Sequence, residues 1–245
     1  MDSIKDEFAF SFGPEGWNCY CALLKECAQY PAENVLEQSL FWRFYVHDKI
    51  RSVRTLNDLL FLHDAERRSS SAEFYLGTYP WGGLTETDTS NGGIPFGWYY
   101  DQVEGKQTRD LWTYGRNLWY EPGDRYTLEC EWARTIKVYN SLKRNYRPLW
   151  YHNYPSVALL VRENSERLGL ILDGHHRMGA LSHLGYKQVR VALTEVVNET
   201  AVDQWYYVKN GYCTREQALV IFNAFFEVNG SERIEYLGLK TGEQG

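Results

Sequence analysis

Several features that would place a chain in a specialised class are missing from this sequence. None of its 245 residues lies in an apolar run of 18 or more, so we expect no membrane span. Residues 1–7 lack the apolar core of a signal peptide. The five cysteines are an odd number without paired CxxC motifs, which argues against a disulfide framework or a zinc site. We therefore expect free thiols and a cytoplasmic protein.

Positive charge is in short supply as well. The chain has 26 Lys and Arg residues against 32 Asp and Glu residues, which gives a net charge of −6. Because proteins that bind nucleic acids usually carry a basic surplus, we expect no nucleic-acid partner. The hydrophobic content of 44% and the charged content of 24% are those of an ordinary globular protein.

Aromatic residues, by contrast, are abundant, at 16% of the chain. Many of them fall in residues 77–125, where glycines also indicate loops. Such a segment is either held against the core by its aromatic side chains or lines a binding site, and both interpretations stay open. For the chain as a whole, we favour an aromatic-rich core over a groove that stacks sugars or bases.

The spacing of apolar residues predicts most of the secondary structure. Helices are predicted over residues 17–30, 35–45, 55–61, 126–145, 201–209 and 215–226. Strands are predicted over residues 157–161, 170–173 and 189–193. We predict irregular or turn structure over residues 1–16, 64–71 and 163–169, and a short strand with a loose tail after Gly230. The order helix, strand, turn, strand, helix, strand within residues 126–193 indicates a mixed α/β unit.

A few polar residues in these segments carry further predictions. Thr55 is a good N-cap for the helix over residues 55–61. Thr214 and Gln217 have the spacing of a capping box that would open the helix over residues 215–226. His47 and His63 have no partner at metal-ligand spacing, so we interpret both as structural or surface residues.

The most informative stretch is the run Asp-Gly-His-His-Arg at residues 173–177, which we call the 173–177 turn. It follows the apolar residues 170–172 and precedes a short amphipathic run that ends at Gly185, an order that predicts strand, tight turn and helix. The first N–H groups of a helix have no partner within it and lie at the positive end of its dipole. With two imidazoles and a guanidinium added, they predict an anion site suited to phosphate.

The 173–177 turn also carries a resemblance to a known family. Together with Ala180-Leu181, Leu184-Gly185-Tyr186 and Val189-Arg190-Val191, it resembles the ParB/sulfiredoxin superfamily over roughly residues 126–195. The resemblance implies an α/β (α+β) fold with a ParB/sulfiredoxin-like mixed-sheet core and helical flanks on both sides. That superfamily includes a CTP-binding partition protein, an ATP-dependent sulfinic-acid reductase and free serine kinases, which share a nucleotide phosphate held at this turn.

This sequence differs from some of these relatives in residues that bear on which activity the resemblance implies. Sulfiredoxin has a cysteine in the place of His175, so sulfinic-acid reduction is not expected here. Partition proteins carry a basic DNA-binding module after the core, whereas residues 201–226 are acidic and aromatic. The Asp-Gly-His-His-Arg form is most similar to that of the free serine kinases. The chain as a whole, including its tail at residues 205–222, also resembles uncharacterised ParB-like proteins encoded near bacterial surface-polysaccharide genes.

The resemblance therefore implies a nucleotide-dependent kinase that phosphorylates a hydroxyl of a small sugar, polyol or amino acid. Its implied cofactors are ATP or ADP with Mg²⁺, with CTP as an alternative nucleotide. Its implied partners are the nucleotide and the small hydroxylated substrate, and the oligomeric state stays open. The alternatives are a non-catalytic nucleotide-binding switch and a ParB-like protein associated with DNA.

The resemblance also implies roles for single residues. The nucleotide phosphate would be held by Gly174, His175, His176 and Arg177. Arg177 has the alternative of an ion pair with a carboxylate. Asp173 either orients a histidine, binds Mg²⁺ or only forms the turn. Which other residues would bind a metal ion stays open.

The implied base comes from the helix ahead of the core. In the serine kinases a glutamate there takes the proton of the hydroxyl, and we carry this role to Glu131, with Glu129 as the alternate. Either glutamate could instead complement the dipole at the helix N-terminus. The predicted catalytic residues are thus Glu131, Asp173 and His176, and Arg134 is the predicted substrate ligand.

We predict four segments that pack as one compact unit, since no clean linker or internal repeat separates them. They are an N-terminal helical region over residues 1–76, an aromatic loop-rich segment over 77–125, the core over 126–197 and a C-terminal helical region over 198–245.

Overall fold

The computed structural model describes residues 4–6, 10–13, 17–27, 35–51, 56–62, 64–70, 74, 79–82, 125–147, 154–228 and 230–239. The strands in these ranges are β1 (Ile4–Lys5), β2 (Ser156–Val161), β3 (Arg167–Asp173) and β4 (Ala192–Asn198). The helices are α1 (Cys19–Cys27), α2 (Val35–Gln38), α3 (Leu40–Tyr45), α4 (Asp48–Arg51), α5 (Leu56–Leu60), α6 (Ala65–Ser70), α7 (Arg125–Asn145), α8 (His175–His183), α9 (Tyr206–Lys209), α10 (Arg215–Glu227) and α11 (Gly230–Tyr236), with a 3₁₀ helix at Glu199–Gln204. None of the helices in these ranges has the length and apolar character needed to cross a membrane.

The chain divides into two compact units. The first comprises residues 1–44, 129–199 and 225–245, and the second comprises residues 45–128 and 200–224. All of the predicted site residues belong to the first unit. The division into four segments made from the sequence stays a prediction.

The first unit is built on a mixed sheet of four strands in the order β1-β3-β2-β4. Strand β3 lies parallel to β1 and antiparallel to β2, and β4 runs parallel to β2. Four successive residues of β3, 168–171, are buried, which means that both faces of this strand are covered. The mixed α/β class predicted from the sequence is therefore confirmed.

Two apolar clusters hold α8 in the first unit. The first joins α8 to the sheet and contains Phe12, Val157, Ile171 and Met178. The second joins α8 to α1 and α7 and contains Leu24, Leu142, Ala180 and Leu181. Because α8 follows β3 directly, this packing places the 173–177 turn at the point where the last residue of the strand meets the first turn of the helix.

Helix α8 ends where the sequence predicts, just before Gly185. Leu184 is the C-cap residue, and Gly185 follows it with a φ of 83°, a conformation that favours glycine. The Gly185 N–H donates to the Ser182 carbonyl at 2.9 Å, and the Tyr186 N–H donates to the Leu181 carbonyl at 3.1 Å. This pair of hydrogen bonds is a Schellman motif.

The predicted helix over residues 126–145, the predicted strand over 157–161 and the predicted capping box are confirmed too. The Thr214 N–H donates to Gln217 Oε1 at 2.9 Å, and the Gln217 N–H donates to Thr214 Oγ1 at 3.2 Å. Each residue thus satisfies a main-chain donor of the other, and α10 begins at Arg215.

The second unit has an aromatic core. The Trp81 ring lies 5.6 Å from that of Trp205 and 5.9 Å from that of Phe222, between ring centroids, and it stacks on Tyr79 at 5.1 Å. All four side chains are buried, so this described part of the aromatic segment is held against a core. The rest of residues 77–124 lies outside the described residues, and so do Thr55 and His63.

Two predictions in the N-terminal part of the chain were wrong. The helix predicted over 35–45 is interrupted at Ser39, whose hydroxyl accepts a hydrogen bond from the Trp42 N–H at 3.1 Å and so begins α3. Residues 64–71 were predicted as a loop, whereas α6 lies there. Asp64 Oδ1 accepts a hydrogen bond from the Arg67 N–H at 3.0 Å, and the residues that follow favour a helix.

The strands also depart from the prediction at their ends. The lead-in contains β1, which is too short to show a period and forms because Ile4 and Lys5 pair with β3. Strand β3 begins at Arg167 rather than at Leu170, since its pairing with β2 continues over these residues. Strand β4 was predicted over 189–193 but spans Ala192–Asn198, because the apolar residues at 189 and 191 fill the clusters beside α8 instead.

The C-terminal part contains two further corrections. The helix predicted over 201–209 is a 3₁₀ helix and the short α9, separated by Trp205 in an extended conformation with a ψ of 141°. Among the described residues after Gly230, which end at 239, no strand is present, and Gly230–Tyr236 form α11, in which Arg233 and Ile234 are buried. Packing of these two side chains, rather than a periodic apolar pattern, accounts for that helix.

Candidate functional site

The 173–177 turn has the geometry of an open helix N-terminus. Gly174 is the N-cap residue of α8, with φ 97° and ψ 25°, and within the described part of the chain no side-chain hydrogen bond caps the helix there. The first helical hydrogen bond runs from the Met178 N–H to the Gly174 carbonyl at 2.9 Å. The N–H groups of residues 175–177 therefore have no acceptor within the helix and lie at the positive end of its dipole.

Arg177 lies across Gly174 and binds Asp173. Its Nη2 is 2.6 Å from Asp173 Oδ2, and a Cβ built on Gly174 would lie 2.9 Å from the same Nη2. The carboxylate contact is the alternative that the sequence left open for Arg177. The Arg177 side chain is 13% exposed, while that of Asp173 is 70% exposed. The buried Nε of Arg177 has no hydrogen-bond partner among the described residues.

Glu131 of α7 and His176 of α8 form a buried pair. Glu131 Oε2 lies 2.7 Å from His176 Nε2, and the side chains are 5% and 14% exposed. Burial alone would raise the pKa of the Glu131 carboxyl, but the charge and hydrogen bond of His176, aided by Arg134 and His175, lower it below its usual range. Glu131 is therefore a carboxylate, and the Nε2 of His176 carries the proton that it donates to Glu131.

This pairing changes what His176 can do. Its Nε2 is occupied by Glu131, so only Nδ1 is left for a ligand. Among the described residues, His176 makes no second side-chain hydrogen bond. The neighbouring His175, which is half-buried, also lowers the pKa of Glu131 through its charge. The two adjacent histidines of the 173–177 turn therefore lie in different surroundings, as is expected for neighbouring residues on the first turn of a helix.

Tyr20 of α1 covers the histidines from one side. Its ring centroid lies 4.7 Å from that of His176 and 6.4 Å from that of His175. Asn18 Oδ1 accepts a hydrogen bond from the Tyr20 N–H at 3.0 Å, which caps α1, and Asn18 Nδ2 donates to the buried Asp6 at 2.9 Å. The apolar spacing placed Tyr20 only within the helix predicted over residues 17–30 and did not predict its position at the site.

One sequence signal for this approach is Gly179, the glycine in the middle of α8. A Cβ on Gly179 would lie 2.7 Å from Tyr20 Cβ, so α1 and α8 approach each other more closely than any side chain at 179 would allow. Cys21 Sγ, next to Tyr20, is 3.7 Å from the Gly179 carbonyl.

The structure distinguishes between the two glutamates of α7. Glu131, not Glu129, makes the contact to His176. Glu131 lies in the second turn of α7, which begins at Arg125, so the alternative that it complements the helix dipole is wrong, because that effect is confined to the first turn. The predicted substrate ligand Arg134 is exposed one turn further along and acts on Glu131 through its charge.

Two other histidines have structural surroundings. His47 Nδ1 accepts a hydrogen bond from the Lys49 N–H at 3.2 Å at the start of α4. His183, at the far end of α8, packs edge-on against Tyr139 with 5.3 Å between ring centroids. Within the described ranges, no group of three or more His, Cys, Asp and Glu side chains is arranged to hold a metal ion.

Comparisons of the chain with protein-family models, curated proteins and solved structures gave no match. The function must therefore be argued from the residues of the site.

Proposed function

We propose that this protein is a nucleotide-dependent kinase that transfers a phosphoryl group to a hydroxyl of a small sugar, polyol or amino acid. The observation that carries the proposal is the open N-terminus of α8, whose first turn contains both Arg177 and the His176 that pairs with the buried Glu131. Phosphoryl transfer depends mainly on positioning and on neutralising negative charge, and an acceptor hydroxyl gains from a base. The first turn of α8 offers positive charge for the phosphate, and its His176, paired with Glu131 of α7, offers a base for the hydroxyl.

The donors at the 173–177 turn support a phosphate site. Main-chain N–H groups at the positive end of a helix dipole and a guanidinium with an unpartnered Nε are the groups that bind phosphate oxygens. The ion pair between Arg177 and the exposed Asp173 is worth little in free energy, because water and salt screen it. In the proposal, phosphate oxygens take the place of the Asp173 carboxylate on Arg177.

The nucleotide in this proposal is ATP or ADP with Mg²⁺, with CTP as the alternative. Because the described residues hold no cluster for a metal, Mg²⁺ would arrive bound to the nucleotide phosphates, as is common for this ion. The likeness of the 173–177 turn to the ParB/sulfiredoxin superfamily and a cytoplasmic location belong to the proposal as well. The mixed sheet followed by α8 is compatible with that likeness.

The proposal is tested first by binding. We would measure the melting temperature of the full chain with ATP, ADP, CTP and GTP, each with and without Mg²⁺. One of these nucleotides should stabilise the wild type, and Arg177→Ala should remove most of the stabilisation. His183→Asn, a change at the opposite end of α8, should retain it. Equal stabilisation of wild type and Arg177→Ala would place the nucleotide elsewhere and reject the site.

Product formation is the second part of the test. The nucleotide that binds would be incubated with the protein and with pools of sugars, polyols and amino acids, and new phosphate esters would be sought by ³¹P NMR. A new ester that requires wild-type protein supports the kinase.

A nucleotide-binding switch without catalysis is the second candidate function, and one observation favours it. Arg177 already holds a carboxylate, so a phosphate at the turn would release Asp173 and alter the surface at the end of β3. Tight nucleotide binding without any phosphate ester from the pools would favour this candidate. Binding of DNA that weakens with salt would instead favour the DNA-associated alternative.

A further inference from the structure

We propose, on the basis of the kinase function above, that His176 accepts the proton of the acceptor hydroxyl and that Glu131 acts through His176 as a positioning residue. This assignment replaces the one made from the sequence, in which Glu131 itself was the base. It names a different reacting atom, His176 Nδ1.

The burial of Glu131 is the first argument. A general base must come within about 2.6–3.2 Å of the hydroxyl oxygen whose proton it takes, or reach it through one water. The Glu131 side chain is 5% exposed, and its Oε2 is already occupied by His176 Nε2 at 2.7 Å. His176 is the more accessible member of the pair, and it belongs to the same helical turn as the proposed phosphate site.

The contact with Glu131 also fixes which nitrogen of the imidazole carries the proton. A carboxylate that accepts a hydrogen bond from Nε2 holds the neutral ring in the tautomer with the proton on Nε2, which leaves the lone pair on Nδ1. The same carboxylate stabilises the imidazolium once Nδ1 has gained a proton. Glu131 thus does for His176 what a buried acid does for a catalytic histidine in general, without touching the substrate.

The other groups that face the pair have defined positions. Arg134 lies on α7 one turn from Glu131, His175 lies beside His176 on α8, and both act on Glu131 through their charges. From α1, the Tyr20 ring packs on the imidazole with 4.7 Å between centroids. The ring of His176 is therefore held both at its Nε2 edge and on one face.

The proposed step balances as follows. The proton of the acceptor hydroxyl moves to His176 Nδ1 as the hydroxyl oxygen forms a bond to the terminal phosphorus of the nucleotide. The bond from that phosphorus to the bridging oxygen breaks, and its electron pair leaves with the shortened nucleotide. His176 is then an imidazolium paired with the Glu131 carboxylate, and it returns to the neutral state by releasing the Nδ1 proton to water.

The arrangement is tested without any substrate by NMR of the full chain labelled with ¹⁵N in its histidines. Long-range ¹H–¹⁵N spectra report which ring nitrogen carries the proton, and His176→Asn identifies the signals of His176. We expect a proton on Nε2 in the neutral ring. We also expect Glu131→Gln to weaken this preference, so that the neutral ring of the variant populates both tautomers, because the amide no longer acts only as an acceptor toward Nε2. A neutral ring protonated on Nδ1 in the wild type, or the same tautomer populations in wild type and Glu131→Gln, would overturn the inference.

Kinetics test the division of roles, with water as the acceptor so that no metabolite needs to be known. The rate of nucleotide hydrolysis is followed against pH in wild type, His176→Asn and Glu131→Gln. We expect His176→Asn to lower kcat by about 100- to 1,000-fold with little change in KM for the nucleotide. We expect Glu131→Gln to lower kcat less than His176→Asn does, again with little change in KM, because the imidazole is still present but is no longer held in one tautomer.

Matched controls are Glu166→Gln and His183→Asn. Glu166 lies just before β3, about 20 Å along the strand from Asp173, and its substitution removes an ion pair with Arg162 and a charge that acts on Lys5, both far from the turn. Both controls should retain the wild-type rate.

The outcomes separate this inference from the kinase proposal. Loss of activity in Glu131→Gln with full activity in His176→Asn would make Glu131 the base, which overturns the inference and leaves the kinase intact. A wild type that neither binds nor hydrolyses any nucleotide rejects the kinase, and with it the proton transfer proposed here. The NMR result would then still report whether Glu131 holds the imidazole.

Discussion

The guanidinium of Arg177 occupies the space next to Gly174 in which any other residue would carry its Cβ. A Cβ there would lie 2.9 Å from Arg177 Nη2, and it would also meet the main chain of Pro155 at 3.0 Å. Gly174 has a φ of 97°, which L side chains rarely adopt. The shape of the 173–177 turn therefore depends on this glycine for two independent reasons.

We expect Gly174→Ala to lower the free energy of unfolding by about 3 kcal/mol, through backbone strain and through displacement of Arg177. Urea denaturation measures the loss. The matched control is Gly185→Ala, where φ is 83° but no atom of the described residues lies within 4 Å of the added Cβ. That variant should lose only about 1 kcal/mol. Equal losses in the two variants would show that the close contact at Gly174 has no energetic consequence.

The contact between Gly179 and Tyr20 gives a second prediction. Alanine is a better helix former than glycine by about 1 kcal/mol, so Gly179→Ala would stabilise α8 if the site were open. Because the added Cβ would lie 2.7 Å from Tyr20 Cβ, we expect a net destabilisation of about 1–3 kcal/mol instead. In a double-mutant cycle, Gly179→Ala should cost less stability in the Tyr20→Gly background than in wild type, since the opposing Cβ is gone. Stabilisation by Gly179→Ala alone would contradict the close packing of α1 on α8.

The Glu131–His176 pair predicts a pH dependence of stability. The pKa of Glu131 is lower in the folded chain than in the unfolded chain, so its contribution is fully present above about pH 4.3 and is lost as the pH falls through the folded pKa. At pH 7 we expect Glu131→Gln to lose roughly 3 kcal/mol. The difference from wild type should shrink as the pH falls from 5 to 3, as measured by urea unfolding at each pH. A difference that is constant or grows toward low pH would contradict the prediction.

The surroundings of Lys5 predict that the stability of the protein depends on pH in the alkaline range. Its Nζ donates to the carbonyls of Val228 at 2.8 Å and Phe226 at 3.4 Å, at the end of α10. Burial, followed by the positive charge of Arg233, lowers the pKa of Lys5 to about 8. Between pH 8 and about 10.4 the unfolded chain binds more protons at Lys5, so wild-type stability should rise with pH relative to Lys5→Met. Parallel urea-unfolding curves for the two proteins over this range would contradict the lowered pKa.

Local sequence patterns were sufficient to predict the secondary structure at the centre of the site. The apolar run, the Asp-Gly pair and the terminal Gly185 predicted a strand, a turn and a helix, and β3 and α8 confirm that order. The capping box at Thr214 was equally readable. These features succeed because they depend on hydrogen bonds and backbone conformations within a few residues, which the local sequence specifies.

Features that depend on distant partners were missed. Strand β1 exists because Ile4 and Lys5 pair with β3, more than 160 residues away in the chain. The irregular chain before β4 exists because two valines fill apolar clusters beside α8. The spacing of apolar residues along the chain, every two residues in a strand or every 3.6 in a helix, carries no information about such distant contacts. Tertiary packing can therefore override the local preference that this spacing indicates.

By itself, the sequence determined the mixed α/β class, the position of the strand–turn–helix unit and the concentration of donors at the 173–177 turn. Only the tertiary structure decided how those donors are used: Arg177 against Asp173, and His176 against Glu131 rather than Glu129. It also brought Tyr20 from α1 onto the histidines. The physical reason is that a buried polar side chain needs a hydrogen-bond partner. The packing of α1, α7 and α8 decides which partner lies within reach, and that partner need not be near in sequence.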